Sequence, residues 1–169
     1  YAGIRPLYDD GTADPSAVTR DYTLRLDSDA GSAPVLSVFG GKITTYRRLA
    51  EHALDKLQPW FPAMRPAWTA GTPLPGGNLP SEFEQFAEVD LARDWPWLAK
   101  GVRRALARRH GAHAYQVLDG ARSPADLGIH FGADLYAREV DYLMEHEWAH
   151  TGDDILYRRT KAGLHLTAG

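Results

Sequence analysis

The stretch Val35-Leu36-Ser37-Val38-Phe39-Gly40-Gly41-Lys42-Ile43-Thr44-Thr45-Tyr46-Arg47-Arg48 decides the fold of the first part of the chain. Val35 to Phe39 is β-branched, aromatic and nearly continuous in its apolarity, a pattern that predicts a buried strand. Gly40-Gly41 ends it. From Ile43 onward, Ile43, Tyr46, Leu49, Ala50, Ala53, Leu54 and Leu57 recur at three and four residues and so share one side of a helix. A strand that delivers a glycine pair to a helix start brings unblocked amides and the positive helix end up to a ligand, which favours anionic or electron-rich groups. Thr44 and Thr45 offer hydroxyls for capping or for a ligand, and Lys42 adds a positive charge at the mouth. Taken alone, a glycine pair is more often a plain strand-to-helix turn than a ligand site.

Upstream, the turn formers Asp9-Asp10-Gly11 and Asp14-Pro15-Ser16 lead into Tyr22-Thr23-Leu24-Arg25-Leu26, which alternates like a strand with one wet face. Downstream, six prolines fall between Pro59 and Pro80, so neither a continuous helix nor a central strand can form there. Trp60, Phe61 and Trp68 in this connector are large enough to be expected against a domain surface. Beyond it the periodicity is helical throughout and predicts helices over about residues 81–93, 95–110, 113–119, 132–150 and 153–162. Gly111 reads as a helix exit, Ser123-Pro124-Ala125-Asp126 as a start signal, and Leu98, Val102 and Leu106 as the apolar stripe of one helix. The fold class is therefore mainly α. A small α/β remnant at residues 1–57 is joined by a Pro/Gly-rich connector, 58–80, to a helical C-terminal domain, 81–169.

The 169 residues, 44% hydrophobic and 24% charged, are ordinary for a soluble globular chain and argue against collagen-like, coiled-coil or wholly disordered structure. A formal net charge of -3 gives no general electrostatic reason to bind nucleic acid. The absence of cysteine removes disulfides, thiolate metal sites and cysteine nucleophiles together, and fits a reducing compartment. No apolar run reaches the roughly 20 residues that span a bilayer. The chain opens on Tyr1-Ala2-Gly3-Ile4-Arg5-Pro6-Leu7 without an initiating methionine, and reads as a piece of a longer protein.

Several ordered motifs carry a resemblance. They are Tyr1 to Leu7, Thr19-Arg20-Asp21-Tyr22, the glycine-lysine turn, Ala50-Glu51-His52-Ala53, Pro66-Ala67-Trp68-Thr69 and Leu74-Pro75-Gly76-Gly77. Asp126-Leu127-Gly128, Glu147-Trp148-Ala149 and Asp153-Asp154-Ile155-Leu156-Tyr157-Arg158-Arg159-Thr160-Lys161 continue the series. Together they resemble the later part of the FAD-dependent, quinone-linked glycerol-3-phosphate dehydrogenases. The resemblance implies that the α/β remnant belongs to a D-amino-acid-oxidase-like flavin domain. It also implies oxidation of sn-glycerol 3-phosphate to dihydroxyacetone phosphate, with electrons passed to quinone. By the same resemblance Arg5, Arg20 and Lys42 bind substrate, and Gly40, Gly41, Lys42, Ile43 and Thr44 contact the cofactor. No catalytic base is assigned. Two guanidinium forks and an ammonium group suit a phosphate dianion.

The Gly-x-Gly-x-x-Gly fingerprint that receives an FAD pyrophosphate does not occur in this sequence. The expectation is that FAD belongs to the full-length parent, that this piece does not retain it, and that the piece alone is inactive. The parent is expected in the cytoplasm, peripherally on the inner face of the membrane, with an anionic membrane surface and a homo-oligomer as candidate partners. Arg103-Arg104 and Arg108-Arg109-His110 form the basic face that would meet such a surface. A glycerol-3-phosphate oxidase shares these motifs, and a noncatalytic helical module for dimerisation, domain packing or membrane approach is the reading from a different class. His146-Glu147-Trp148-Ala149-His150 spells a zinc-binding string on a predicted helix, but the Glu-Trp-Ala of the family pattern accounts for it without metal.

Overall fold

The alternation at Tyr22 and the apolar run at Val35 become strands β1 (Tyr22–Asp27) and β2 (Val35–Gly40) in the computed structural model, which describes residues 7–9, 11, 19–29 and 31–166. They pair antiparallel, from Tyr22 opposite Gly40 to Asp27 opposite Val35. A short 3-10 turn, Ile43–Thr45, then leads into helix α1 (Tyr46–Leu57). Thr45 occupies the N-cap, but its hydroxyl turns back and donates to the Lys42 carbonyl at 3.1 Å, so no side chain caps the first amides of α1.

The expectation of a buried strand is corrected here. Val35 is 59% exposed, and Val38 and Phe39 are exposed as well, because β2 has one strand neighbour and α1 itself buries no residue. Trp60, Phe61 and Trp68 are likewise exposed rather than packed. Where the connector does attach, it does so through polar groups. Arg47 donates to the carbonyls of Thr69 and Thr72, and the Thr69 hydroxyl donates to Glu51. Tyr1–Thr72 forms one compact unit and Pro73–Gly169 a second.

In the second unit the apolar periodicity closes a core. Helix α2, residues 83–94, contains a π-helical segment at Phe86–Asp90 and packs with α3 (Lys100–His110). Trp95 precedes Pro96 and leaves helical geometry, at φ -129 and ψ 73, so the helix expected from residue 95 starts instead at Lys100. Helix α4 (Ala114–Val117) follows, and the start signal at Ser123 opens a 3-10 turn, Pro124–Leu127, on which Ser123 and Asp126 form a capping box. Phe86, Leu91, Leu98, Val102, Leu106, Leu118 and Leu127 fill the core; of the predicted stripe, Val102 and Leu106 lie on α3 and Leu98 just before it, and all three are buried.

The helix expected over 132–150 is also corrected. Strands β3 (His130–Gly132) and β4 (Leu135–Tyr136) form a hairpin before helix α5 (Ala137–His146). Its turn puts Gly132, Ala133 and Asp134 at φ 98, 49 and 56 in succession, and the Ala-Asp pair lacks the glycine that would signal such a turn. Helix α5 stops at His146 and Trp148 takes φ 55, so the second histidine of the zinc-like string lies off the helix and the two imidazoles do not share one face. Beyond it Asp154–Arg159 is π-helical, and Lys161 at φ 62 breaks the helix expected through 162.

The Leu74-Pro75-Gly76-Gly77 stretch has a structural explanation. Gly76, at φ 77, lies backbone to backbone against the end of α3, and its carbonyl accepts from the Ala112 amide at 2.8 Å. A Cβ on Gly76 would run into the His110 carbonyl oxygen, and one on Gly111 into the Gly76 carbonyl oxygen.

Candidate functional site

The strand-turn-helix of the first unit sets the geometry of the site. Gly40 at φ 67 and Gly41 at φ 101 adopt backbone conformations that side chains with a Cβ rarely take, so the glycine pair is required by the turn itself. Among the described residues, the Gly41 and Lys42 amides donate to no backbone carbonyl. Lys42 and Thr44 are exposed, and Ile43 projects with 88% of its surface free.

The ladder register brings one pair of predicted residues to the same place. Tyr22 faces Gly40, so Arg20 and Lys42 each lie two residues beyond the last strand pair, at the same end of the hairpin. Arg20 is exposed, and among the described residues neither cation is held by a carboxylate. Arg25, by contrast, points its guanidinium to Asp27 at 3.3 Å toward the opposite end. Arg5 lies outside the described residues.

Sequence reasoning left Tyr22 and His52 without a role. The Tyr22 hydroxyl and His52 Nδ1 share a hydrogen bond of 2.6 Å, the rings meet edge to face at 5.9 Å, and together with Leu24, Asp55 and Lys56 they line an open cleft of about 380 Å³. The signal available was the Ala50–Ala53 motif, whose Glu51 also reaches Thr69 of the Pro66–Thr69 motif. These two stretches of family resemblance are therefore in contact.

The basic face of the second unit is largely committed to internal partners. Arg104 pairs with Glu84 at 2.7 Å and Glu88 at 2.5 Å, and its hydrogen bonds hold both carboxyls below the usual carboxylate range. Arg109 and His110 each reach Glu139 at 2.8 Å, and the Glu139 side chain is only 2% exposed. Arg103 donates to the Leu98 carbonyl. Arg108 remains exposed and lines, with Arg104, Arg109, Asp134 and His165, a cleft of about 610 Å³. No helix among the described residues is long and apolar enough to cross a membrane.

A family profile described as the C-terminal domain of alpha-glycerophosphate oxidase matches residues 67–168. The chain belongs to this family. The match takes in the second unit almost to its end, whereas similarity to curated proteins runs through both units. A glycerol-3-phosphate dehydrogenase of Pseudomonas aeruginosa is 53% identical over 99% of the chain and 32% of its own length. The aerobic glycerol-3-phosphate dehydrogenase of Escherichia coli is 47% identical over 99% of the chain and 33% of its own length. A D-erythritol 1-phosphate dehydrogenase of Brucella abortus is 49% identical over 99% and 33% respectively. The chain thus spans about a third of the length of these relatives.

Proposed function

We propose that this chain is the C-terminal part of a flavin-dependent glycerol-3-phosphate dehydrogenase, with residues 1–57 completing its redox pocket. The observation that carries the reading is the hairpin register, which sets Arg20 and Lys42 at one end of β1 and β2 beside the glycine turn. The 53% identity to a glycerol-3-phosphate dehydrogenase, extending across 99% of the chain, supports taking this turn as the family's own.

The residues present fit a flavin. Two glycines without a Cβ allow a flat ring to approach the backbone, and the Gly41 and Lys42 amides have donors to offer it. When bound, FAD would supply the two-electron oxidant for conversion of the alcohol to a ketone. The chain's own part is to hold and polarise. Arg5 and Arg20 grip the phosphate as planar forks, Lys42 adds a point charge, and the turn amides of Gly40 to Thr44 favour negative charge on the cofactor. Exposed Val35, Val38 and Phe39 fit a hairpin that the remaining flavin domain covers. Quinone is the electron acceptor on this reading. The parent works in the cytoplasm at the inner face of the membrane, with exposed Arg108 on the approaching side.

The test is the full-length enzyme assayed with glycerol 3-phosphate and a quinone analogue. Arg20→Ala and Lys42→Ala should each raise KM about tenfold or more, the loss expected for one charge-assisted contact to a phosphate. Hydrogen peroxide formed in proportion to substrate would identify an oxidase, and a preference for D-erythritol 1-phosphate would move the substrate class to a longer polyol phosphate. Unchanged KM in both variants would remove these residues from the substrate site. The closed core of the second unit also supports a separate role for it as an interaction module. Deleting residues beyond Pro80 would then abolish quinone reduction and spare reduction of a soluble dye.

A further inference from the structure

Tyr22 touches both ends of the segment that carries the glycine turn. Its backbone pairs with Gly40 in the ladder, and its hydroxyl is hydrogen-bonded to His52 Nδ1 on α1 at 2.6 Å. A Cβ placed on Gly41 would stand 3.4 Å from the Tyr22 Cβ and 3.5 Å from Leu49 Cδ1, so the turn lies directly against the tyrosine and the helix. Residues 40–52 therefore form a loop closed at both ends by one tyrosine.

Such a closure is needed. Two consecutive positive-φ glycines form a permissive hinge, α1 buries no residue, and no side chain caps its start. Among the described residues, Tyr22 to His52 is the one side-chain hydrogen bond between the hairpin and α1.

We propose that the Tyr22–His52 hydrogen bond is a positioning contact that sets the Gly40-Gly41-Lys42 turn, and through it the placement of the turn amides and of Lys42 toward flavin and substrate. The second half of this statement rests on the function proposed above. The first does not.

Two measurements separate them. In the present chain, Tyr22→Phe keeps the ring contact and removes the hydroxyl, while His52→Asn retains a side-chain hydrogen-bonding group near the Nδ1 position. Tyr22→Phe is expected to shift the amide resonances of Gly40, Gly41 and Lys42 and to raise their exchange rates, and His52→Asn to leave them near wild type. Turn resonances that stay in place in Tyr22→Phe would overturn the positioning role, whatever the protein does. In the full-length flavoenzyme, Tyr22→Phe and His52→Ala should each move the visible flavin absorption and lower kcat/KM about tenfold, as small misplacements near a reacting centre do. The double variant should be no worse than either single one, and His52→Asn should restore the flavin spectrum. Shifted turn resonances with an unchanged flavin spectrum and kcat/KM would overturn the link to the redox site. If the wild-type full-length protein binds no flavin, the proposed function fails while the resonance experiment still decides the clamp.

Discussion

The two units use comparable apolar residues to opposite ends. Among the described residues of Tyr1–Thr72 none is buried, although Val35, Val38, Phe39, Leu54, Trp60 and Trp68 are all present. In Pro73–Gly169, Phe86, Leu91, Leu98 and Leu118 are almost wholly removed from solvent. Composition does not explain the contrast; closure does. A two-stranded hairpin and one helix have too few faces to enclose anything, whereas helices α2 to α5 surround a common interior. The first unit is a set of formed elements, and the second is a folded domain.

The largest expected break in this comparison comes from matched truncations. Phe86→Ala removes a ring that is 0% exposed and should cost about 3–5 kcal/mol, whereas Leu54→Ala, at a half-exposed site on α1, should cost well under about 1 kcal/mol. Urea unfolding of the chain, read by hydrogen exchange in each unit, tests both. A large effect of Leu54→Ala would mean that the first unit has an interior after all. Glu139→Ala belongs in the same range. It removes the one carboxylate among the described residues that pairs with Arg109 and His110, whose side chains are 14% and 4% exposed, leaving Arg109 only the Ala133 and Asp134 carbonyls, and should cost about 3 kcal/mol.

A glycine comparison comes next. Gly76→Ala forces a Cβ into the His110 carbonyl at a positive φ and should cost about 3 kcal/mol through overpacking and strain together. Gly31→Ala meets nothing within 4 Å at φ +88, in the turn between β1 and β2, and should cost only about 1 kcal/mol of backbone strain. If thermal melts find the two equal, the backbone contact between Gly76 and Gly111 is not what anchors the start of the second unit.

These differences mark what was legible in the sequence. Period and turn chemistry reported the local elements well. Gly40-Gly41 stood where a strand meets a helix, the Ser123 start signal opened a 3-10 turn, and Leu98, Val102 and Leu106 faced the core. Periodicity could not report whether a partner exists for an apolar face, so Val35 to Phe39 read as buried and are not. Nor could it reveal positive φ at residues other than glycine. Ala133, Asp134, Trp148 and Lys161 all take it, and each interrupts a helix that the apolar spacing would have continued. In the candidate site, the cations and glycines were legible as residue types. Their approach depends on the β1–β2 register, and the Tyr22–His52 contact joins positions 30 residues apart that no local pattern links.

The smallest effects per residue should come from charge. Glu84 and Glu88, bonded to Arg104, Asp94, bonded to Arg93, and Asp126 and Asp154, held chiefly by the backbone amides of Arg122 and His150, all have carboxyls lowered from their ordinary values. All five lie in the second unit. A carboxyl lowered on folding stabilises fully above its unfolded pKa, about 4, and that contribution disappears as pH falls through the lower folded value. Hydrogen exchange in the second unit should therefore hold steady from neutral pH down to about pH 5 once intrinsic exchange is corrected, and protection should fall below about pH 4. Each exposed group contributes little alone and salt screens the ion pairs, so 1 M sodium chloride should weaken the part owed to Arg104 and Arg93. The part held by amides, at Asp126 and Asp154, should persist in salt and be removed by Asp126→Asn with Asp154→Asn. A first unit that loses protection at the same acid midpoint would show that the two units unfold together, and the contrast between them would then be one of packing without separate stability.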